Sequence, residues 1–363
     1  MNTTAEKLFD LIEKGVSPYQ VVEEAEKRLK EAGFEKLEFH TAWGLTGGKS
    51  YYMIHHGTTL IAFTIPKTLY YRESFRMAAA HTDFPCLRIK PNPEMEMSGY
   101  QQLNVEVYGG AILNTWLDRP LGIAGTVALA SDEVFAPRIV HFSSECPVAV
   151  IPNIAIHMNP ALNKGVELNK QKDMIPIVGI AGEEMQKKDF FYEYLAKELQ
   201  LSKEEILDFD LYLYNTEMPE TVGMGKELIS APRLDNLTSV QALLDGIITG
   251  EREDGINLIA LFDHEEIGSR TKQGAGSMLL RDVVEKIQIS LGRDACQVKE
   301  ALYQSMLLSV DVAHAMHPNQ NQKADVTNQP VLNRGFCIKE SGNQSYATDC
   351  EVAVSYTHLR AHE

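Results

Sequence analysis

Apolar positions fall at helical spacing in "SPYQVVEEAEKRLKEAG", where Val22, Ala25, Leu29 and Ala32 form one stripe. Ser17 as N-cap, Pro18 at the first helical position and Gln20 completing a capping box predict the start of this helix, and Gly33 its end. The period then shortens. "YYMIHH" and "LIAFTI" read as strands. Ahead of them, "GLTGGKS" reads as a hairpin turn, since Gly44 and Gly48 stand one residue too close for a phosphate loop. "FRMAAAHTD" opens as a short buried strand that stops at His81. From about Lys90 to Met224, stretches such as "LNVEVYGG", "GIAGTVALA" and "RIVHF" predict short antiparallel strands, with a helix over "KKDFFYEYLAKELQL". Beyond Met224 the pattern predicts a helix over "LTSVQALLDGIIT", a buried strand over "NLIALFD", a helix over "SMLLRDVVEKIQISLG" and a strand over "SMLLSVD". This order predicts an α/β domain, 1–90 plus 225–354, interrupted by a β-rich insertion over 91–224.

Three apolar strands end in ionisable side chains: His81 and Asp83, Glu265 and Glu266, and Asp311. Asp235 stands just before a helix in "APRLDNLTS". Taken singly, each has a bland reading, since a carboxylate after a strand is usually solvated and a lone histidine is more often structural. Open parallel sheets, however, gather their ligands at the carboxyl ends of strands. One histidine and several carboxylates converging there suit a pair of divalent metal ions. A metal pair also accounts for adjacent glutamates, one serving as ligand while its neighbour handles a proton. Asp83 suits the acceptor that a ligating imidazole needs for its other N–H. "DHEEIG" is not the HExxH zinc helix, because position 268 is Gly.

The remaining bulk properties narrow the setting. The chain has 363 residues, 44% hydrophobic and 23% charged, enough for a sizeable core. Its formal net charge of -16 excludes a nucleic-acid backbone or an anionic membrane as the main partner. No apolar run is long enough to span a bilayer, and "MNTTAEKLFD" has no signal pattern. The five cysteines are scattered without a CxxC pair, which predicts reduced thiols and a cytoplasmic protein.

The stretches "AAHTDFPCLRIKPNP", "LNVEVYGGAI", "IPNIAIHMN", "RLDNLTS", "DHEEIGS", "SVDVAHAMHPN" and "GNQSYAT" together resemble the aspartyl aminopeptidase family of dizinc exopeptidases, most closely its bacterial members. The resemblance runs in family order to about Val354. It implies a zinc-exopeptidase-like catalytic domain, a mixed sheet flanked by helices, with an inserted β-rich domain that makes subunit contacts. It implies two divalent ions, most simply Zn2+: His81 and Asp311 on one, Glu266 on the other, and Asp235 bridging. Glu265 would be the general base, with Asp83 supporting the site. Substrate contacts would come from His157, His314, Lys339 and Tyr346, with His157 serving a neighbouring subunit in a large closed homo-oligomer. Lys339 would pair with an acidic first side chain, so the implied activity removes the N-terminal residue of peptides, acidic ones in particular.

Family members continue past "YAT" into a segment that carries a last histidine ligand for the ion at Glu266. Here residues 355–363 read "SYTHLRAHE", which resembles a foreign tail, with His358 and His362 only accidental substitutes. The expectation is a catalytic domain incomplete at its carboxyl end, holding at most one tight zinc and having very low peptidase activity. Two alternatives stand beside it: an inactive metal-binding or assembly protein, and a related amidohydrolase acting on acylated amines.

Overall fold

The computed structural model describes residues 3–69, 73–133, 135–181 and 189–360, with side chains of the last helix described to residue 355. Two helices, α1 (Thr4–Lys14) and α2 (Pro18–Glu31), lead into β1 (Glu35–Lys36), β2 (Ser50–His55), β3 (Thr59–Thr64) and β4 (Ser74–His81). Then follow β5 (Cys86–Met97), β6 (Tyr100–Tyr108), β7 (Leu121–Leu129), β8 (Arg138–Ser143), β9 (Ile177–Ile180), α3 (Phe190–Leu199) and β10 (Ile206–Asn215). The chain continues through β11 (Glu220–Val222), β12 (Leu228–Ser230), α4 (Leu234–Thr249), β13 (Gly255–Phe262), α5 (Leu279–Ser290), α6 (Ala295–Tyr303), β14 (Met306–Ser309) and α7 (Cys350–Arg360). The molecule divides into two compact units, 1–311 and 312–363.

Within the first unit, a six-stranded mixed sheet has the order β1-β2-β3-β13-β4-β14. Strand β13 lies antiparallel to β3, and β13, β4 and β14 run parallel. Both faces of β13 are covered. Ile259 and Leu261 pack with Leu237, Val240 and Leu244 of α4, while Leu258, Ala260 and Phe262 pack with Val283, Val284 and Ile287 of α5. A strand buried on both faces reads as an unbroken apolar run, as "LIALF" does. Each such leucine, isoleucine, valine or phenylalanine contributes about 1.5–3 kcal/mol on burial.

A second sheet, drawn from residues between Cys86 and Asn215, is antiparallel throughout, with order β8-β7-β10-β5-β6-β9. Its core of Leu87, Ile89, Leu103, Val105 and Leu213 is capped by Phe191 and Leu195 of α3.

Some local expectations need correction. Gln20 does not complete a capping box on α2; Ser17 caps it through the Tyr19 N–H. The Gln20 amide instead donates to the carbonyls of Gly125 and Phe142, both 3.1 Å away, joining α2 to the second sheet. Nor is "GLTGGKS" a hairpin turn. Strands β1 and β2 pair in parallel, which a hairpin cannot connect, and the Gly48 N–H donates to the Ile65 carbonyl at 3.0 Å. Helices α1 and α6 were not anticipated, although Thr3 with Glu6 and Asp294 with Gln297 form the capping boxes that begin them. No helix among the described residues is long and apolar enough to cross a membrane.

Candidate metal centre

Strand register builds the centre. Phe262 pairs with His81, so 263–266 leave the sheet at the same end as Thr82 and Asp83. Ser309 pairs with Ala79, and the Val310 N–H donates to the Ala79 carbonyl, so Asp311 follows alongside His81. Asp235 comes from the first turn of α4, which packs on the same strands. The segment ahead of it is pinned by Arg233, whose guanidinium donates to the carbonyls of Ile12 and Asn215, both at 2.8 Å, and lies over the rings of Phe84 and Tyr214. Beyond it, the Asn236 amide donates to the Val310 carbonyl at 3.0 Å.

His81 is buried, and its two ring nitrogens face different surroundings. Nδ1 lies 3.0 Å from the Asp83 carbonyl and 3.2 Å from Asp83 Oδ1. Nε2 lies 3.5 Å from Asp235 Oδ1, 3.7 Å from Asp311 Oδ1 and 3.9 Å from Glu265 Oε2. Potential ligand atoms of His81, Asp235 and Asp311 all fall within 4.8 Å of one another, the one such group among the described residues. One imidazole nitrogen and two carboxylates are donors of the kind zinc takes, so the chemistry of this set fits that ion. Burial opposes charge on His81, yet Asp235, Asp311 and Asp83 hold its pKa up to about 12.

Nearby carboxylates are tuned differently. Burial works against ionisation of Asp83, but the donors of His81, Tyr108 and Glu266 outweigh it and hold its pKa below the usual range. Glu265 is shifted upward by burial and by the charges of Asp311, Asp83 and Asp235, despite the opposing pull of His81. Burial also shifts Glu266 upward, partly offset by the Gly110 N–H that its Oε2 accepts at 3.1 Å. Glu266 thus stands outside the His81 group, facing the turn after β6.

His157 is exposed in the loop following Ile151. His314, Lys339 and Tyr346 belong to the 312–363 unit, where Lys339 Nζ lies 3.4 Å from the Val312 carbonyl and 5.8 Å from the Tyr346 ring centre. His362 and the side chain of His358 lie outside the described residues. Sequence reasoning missed Tyr108, whose hydroxyl donates to Asp83 Oδ2 at 2.8 Å, and Gly110. The available signal was a tyrosine and two glycines closing the strand "LNVEVYGG". A cavity of about 730 Å³ is lined by Phe84, Trp116, Tyr214, Met218 and Arg233, so its wall includes the residue after Asp83 and one just before Asp235.

Comparison with known proteins places this geometry in context. Residues 11–362 match the family described as aminopeptidase I zinc metalloprotease (M18), a span that takes in most of the 355–363 tail. A probable M18 family aminopeptidase 2 of Clostridium novyi (strain NT) is 42% identical over 346 residues, covering 95% of this chain and 80% of the relative. Among solved structures, the chain is similar to Ape4 in its complex with Nbr1, with a TM-score of 0.93, 30% identity and coverage of 98% of this chain and 72% of that one. It is also similar to the S. cerevisiae mApe1 dodecamer, with a TM-score of 0.79, 26% identity and coverage of 99% and 83%.

Proposed function

The chain belongs to the aminopeptidase I zinc metalloprotease (M18) family, and on that premise we propose that His81, Asp235 and Asp311 hold the zinc at which it removes N-terminal residues from peptides. A zinc metalloaminopeptidase, a hydrolase, is the function the family supports; the acylated-amine and non-catalytic readings are not favoured. The observation carrying the site assignment is the gathering of these three ligand atoms within 4.8 Å at the carboxyl ends of parallel strands. Zinc held there supplies Lewis acidity to the scissile carbonyl and to the attacking water.

The chain's own residues do the rest. Asp83 keeps the proton on His81 Nδ1, which leaves Nε2 free to face the metal. Glu265, at 3.9 Å from Nε2, takes the proton of the attacking water and returns it to the leaving amine. Burial and the neighbouring carboxylates shift its pKa upward, the direction that makes a carboxylate a better base. A second zinc would take Glu266 and share Asp235. An acidic first side chain would meet Lys339 beside Tyr346, with His157 and His314 contacting substrate. The dodecameric state of the S. cerevisiae relative supports a homo-oligomer in which His157 serves a neighbouring subunit. The unpaired state of all five cysteines supports the cytoplasm as its setting.

Zinc content and hydrolysis of aminoacyl and N-acylated anilides test the assignment. The expected result is zinc-dependent cleavage of aminoacyl substrates alone, Asp faster than Leu. His81→Ala should lose zinc, whereas Glu265→Gln should keep it and lose rate by roughly 10²–10⁴. Equal zinc loss in both variants overturns the division of roles, and cleavage of only N-acylated substrates overturns the aminopeptidase reading.

A further inference from the structure

His81 and the two adjacent glutamates meet at one carboxylate, and that carboxylate also takes a hydrogen bond from the second sheet. Asp83 is fully buried. Its Oδ1 accepts the Glu265 N–H at 3.2 Å and stands 3.2 Å from His81 Nδ1, which also lies 3.0 Å from the Asp83 carbonyl; its Oδ2 accepts from the Glu266 N–H at 3.1 Å and from the Tyr108 hydroxyl at 2.8 Å. A carboxylate offers about four acceptor positions, and these four contacts occupy it. Three of them belong to the proposed metal and base machinery. The shortest of the four does not: Tyr108 ends β6, a strand of the other sheet.

We propose that Tyr108 is a positioning residue for the metal centre, fixing the Asp83 carboxylate so that His81 and the 265–267 turn share one rigid anchor. This deepens the zinc aminopeptidase reading and rests on it. The physical reason is torsional. Without the hydroxyl, Oδ2 loses its shortest bond and the carboxylate can rotate between the ring N–H and the two peptide N–H groups. Rotation toward either loosens the other, so ring orientation and base position are both less well defined. The Tyr108 ring is held separately, edge-on to Tyr212 at 5.9 Å and 6.3 Å from the His264 ring. Its packing therefore survives removal of the oxygen.

Tyr108→Phe is the test, with Tyr212→Phe as a matched loss of a buried hydroxyl, since Tyr212 donates at 3.1 Å to Asp210 rather than to Asp83. Zinc affinity is read by competition with a chelator, alongside kcat and KM. Groups that support a ligating histidine typically change metal affinity by about 10–100-fold when altered. Tyr108→Phe is expected at the lower end of that range, about tenfold, with kcat falling and KM little changed; Tyr212→Phe should leave zinc affinity at the parent value. In an Asp83→Ala background, which has no side-chain acceptor, the Tyr108→Phe change should have no further effect, because the two act through one contact. Equal zinc affinities for Tyr108→Phe and the parent overturn the proposal. So does an equal loss in Tyr212→Phe, or an undiminished effect in the Asp83→Ala background. His81→Ala separates the two levels. If it leaves zinc affinity unchanged, the metal-centre reading itself fails; if it abolishes binding while Tyr108→Phe does nothing, only the role of Tyr108 fails.

Discussion

Asp83 and Asp263 are one residue type, equally buried at the ends of neighbouring strands, yet they titrate in opposite directions. Asp83 is surrounded by donors and stays ionised. Asp263 is pushed up to about 7, first by burial and then by the charge of Asp83, against weaker help from Thr58 and the His264 N–H. Burial also lowers the pKa of the neighbouring His264 imidazole, which stands 3.2 Å from Asp263 Oδ2. The consequence for stability has a definite sign. An unfolded aspartate ionises near pKa ~3.9, so the folded state loses stability as pH rises from there to about 7 and does not recover it above. Asp263→Asn should therefore be more stable than the parent at pH 8, by on the order of a few kcal/mol, and the gap should narrow at pH 5. Denaturant unfolding at the two pH values checks this; a gap that is absent at pH 8 or wider at pH 5 refutes it. In the sequence the two aspartates look alike, each following an apolar strand. The difference lies in donors from β6 and the 265–267 turn, which no local pattern reveals.

At the scale of elements, the central parallel strands were legible because burial writes an apolar run into "AAAH" and "LIALFD", and the half-exposed edge strand in "SMLLSVD" keeps enough of that pattern to be read beside them. Their ends put His81, Glu265 and Asp311 forward as candidates without any coordinates. What the pattern could not supply was the partner of each carboxylate. Glu266 looked like a twin of Glu265, but it faces the turn closing β6, where a Cβ on Gly109 would stand 2.7 Å from its Oε2 and 2.9 Å from its Cβ. Gly109 has φ +73, and Gly99 in the preceding hairpin has φ +82 with nothing within 4 Å of its virtual Cβ. Alanine at either site bears a similar backbone cost, on the order of 1 kcal/mol. Only at Gly109 does it also displace a glutamate. Gly99→Ala should lower thermal stability slightly and leave kcat near the parent value. Gly109→Ala should lower kcat by an order of magnitude or more, since Glu266 and the adjacent Glu265 share one turn of backbone. Matching kcat values for the two variants would show that the glycine matters only for its torsion angle.

For the whole molecule, the division into a mixed sheet and a β-rich segment was visible as a change of period near Lys90 and again near Met224. How the second sheet braces the first was not, because Tyr108 and Gln20 act across strands far apart in sequence. The metal centre is bracing of the same long-range kind. His81, Asp235 and Asp311 close β4, α4 and β14 onto one point, and their carboxylates repel one another when no cation is present. An ion that binds the folded chain and not the unfolded one stabilises it by about 2.7 kcal/mol at ~100 times its Kd. For a chain of this size that is a rise of a few degrees in Tm, because a longer chain has a larger unfolding entropy. Zinc added to the chelator-treated protein should raise Tm by that amount, and the rise should grow with the logarithm of free zinc. His81→Ala should melt at one temperature with or without zinc, since its loss removes the one nitrogen ligand of the group. The comparison must be made at fixed protein concentration, because subunit association shifts Tm by the same mass action. A zinc-dependent rise of equal size in His81→Ala would mean that the stabilising ion sits elsewhere, and that these strand ends gather carboxylates for some purpose other than holding zinc.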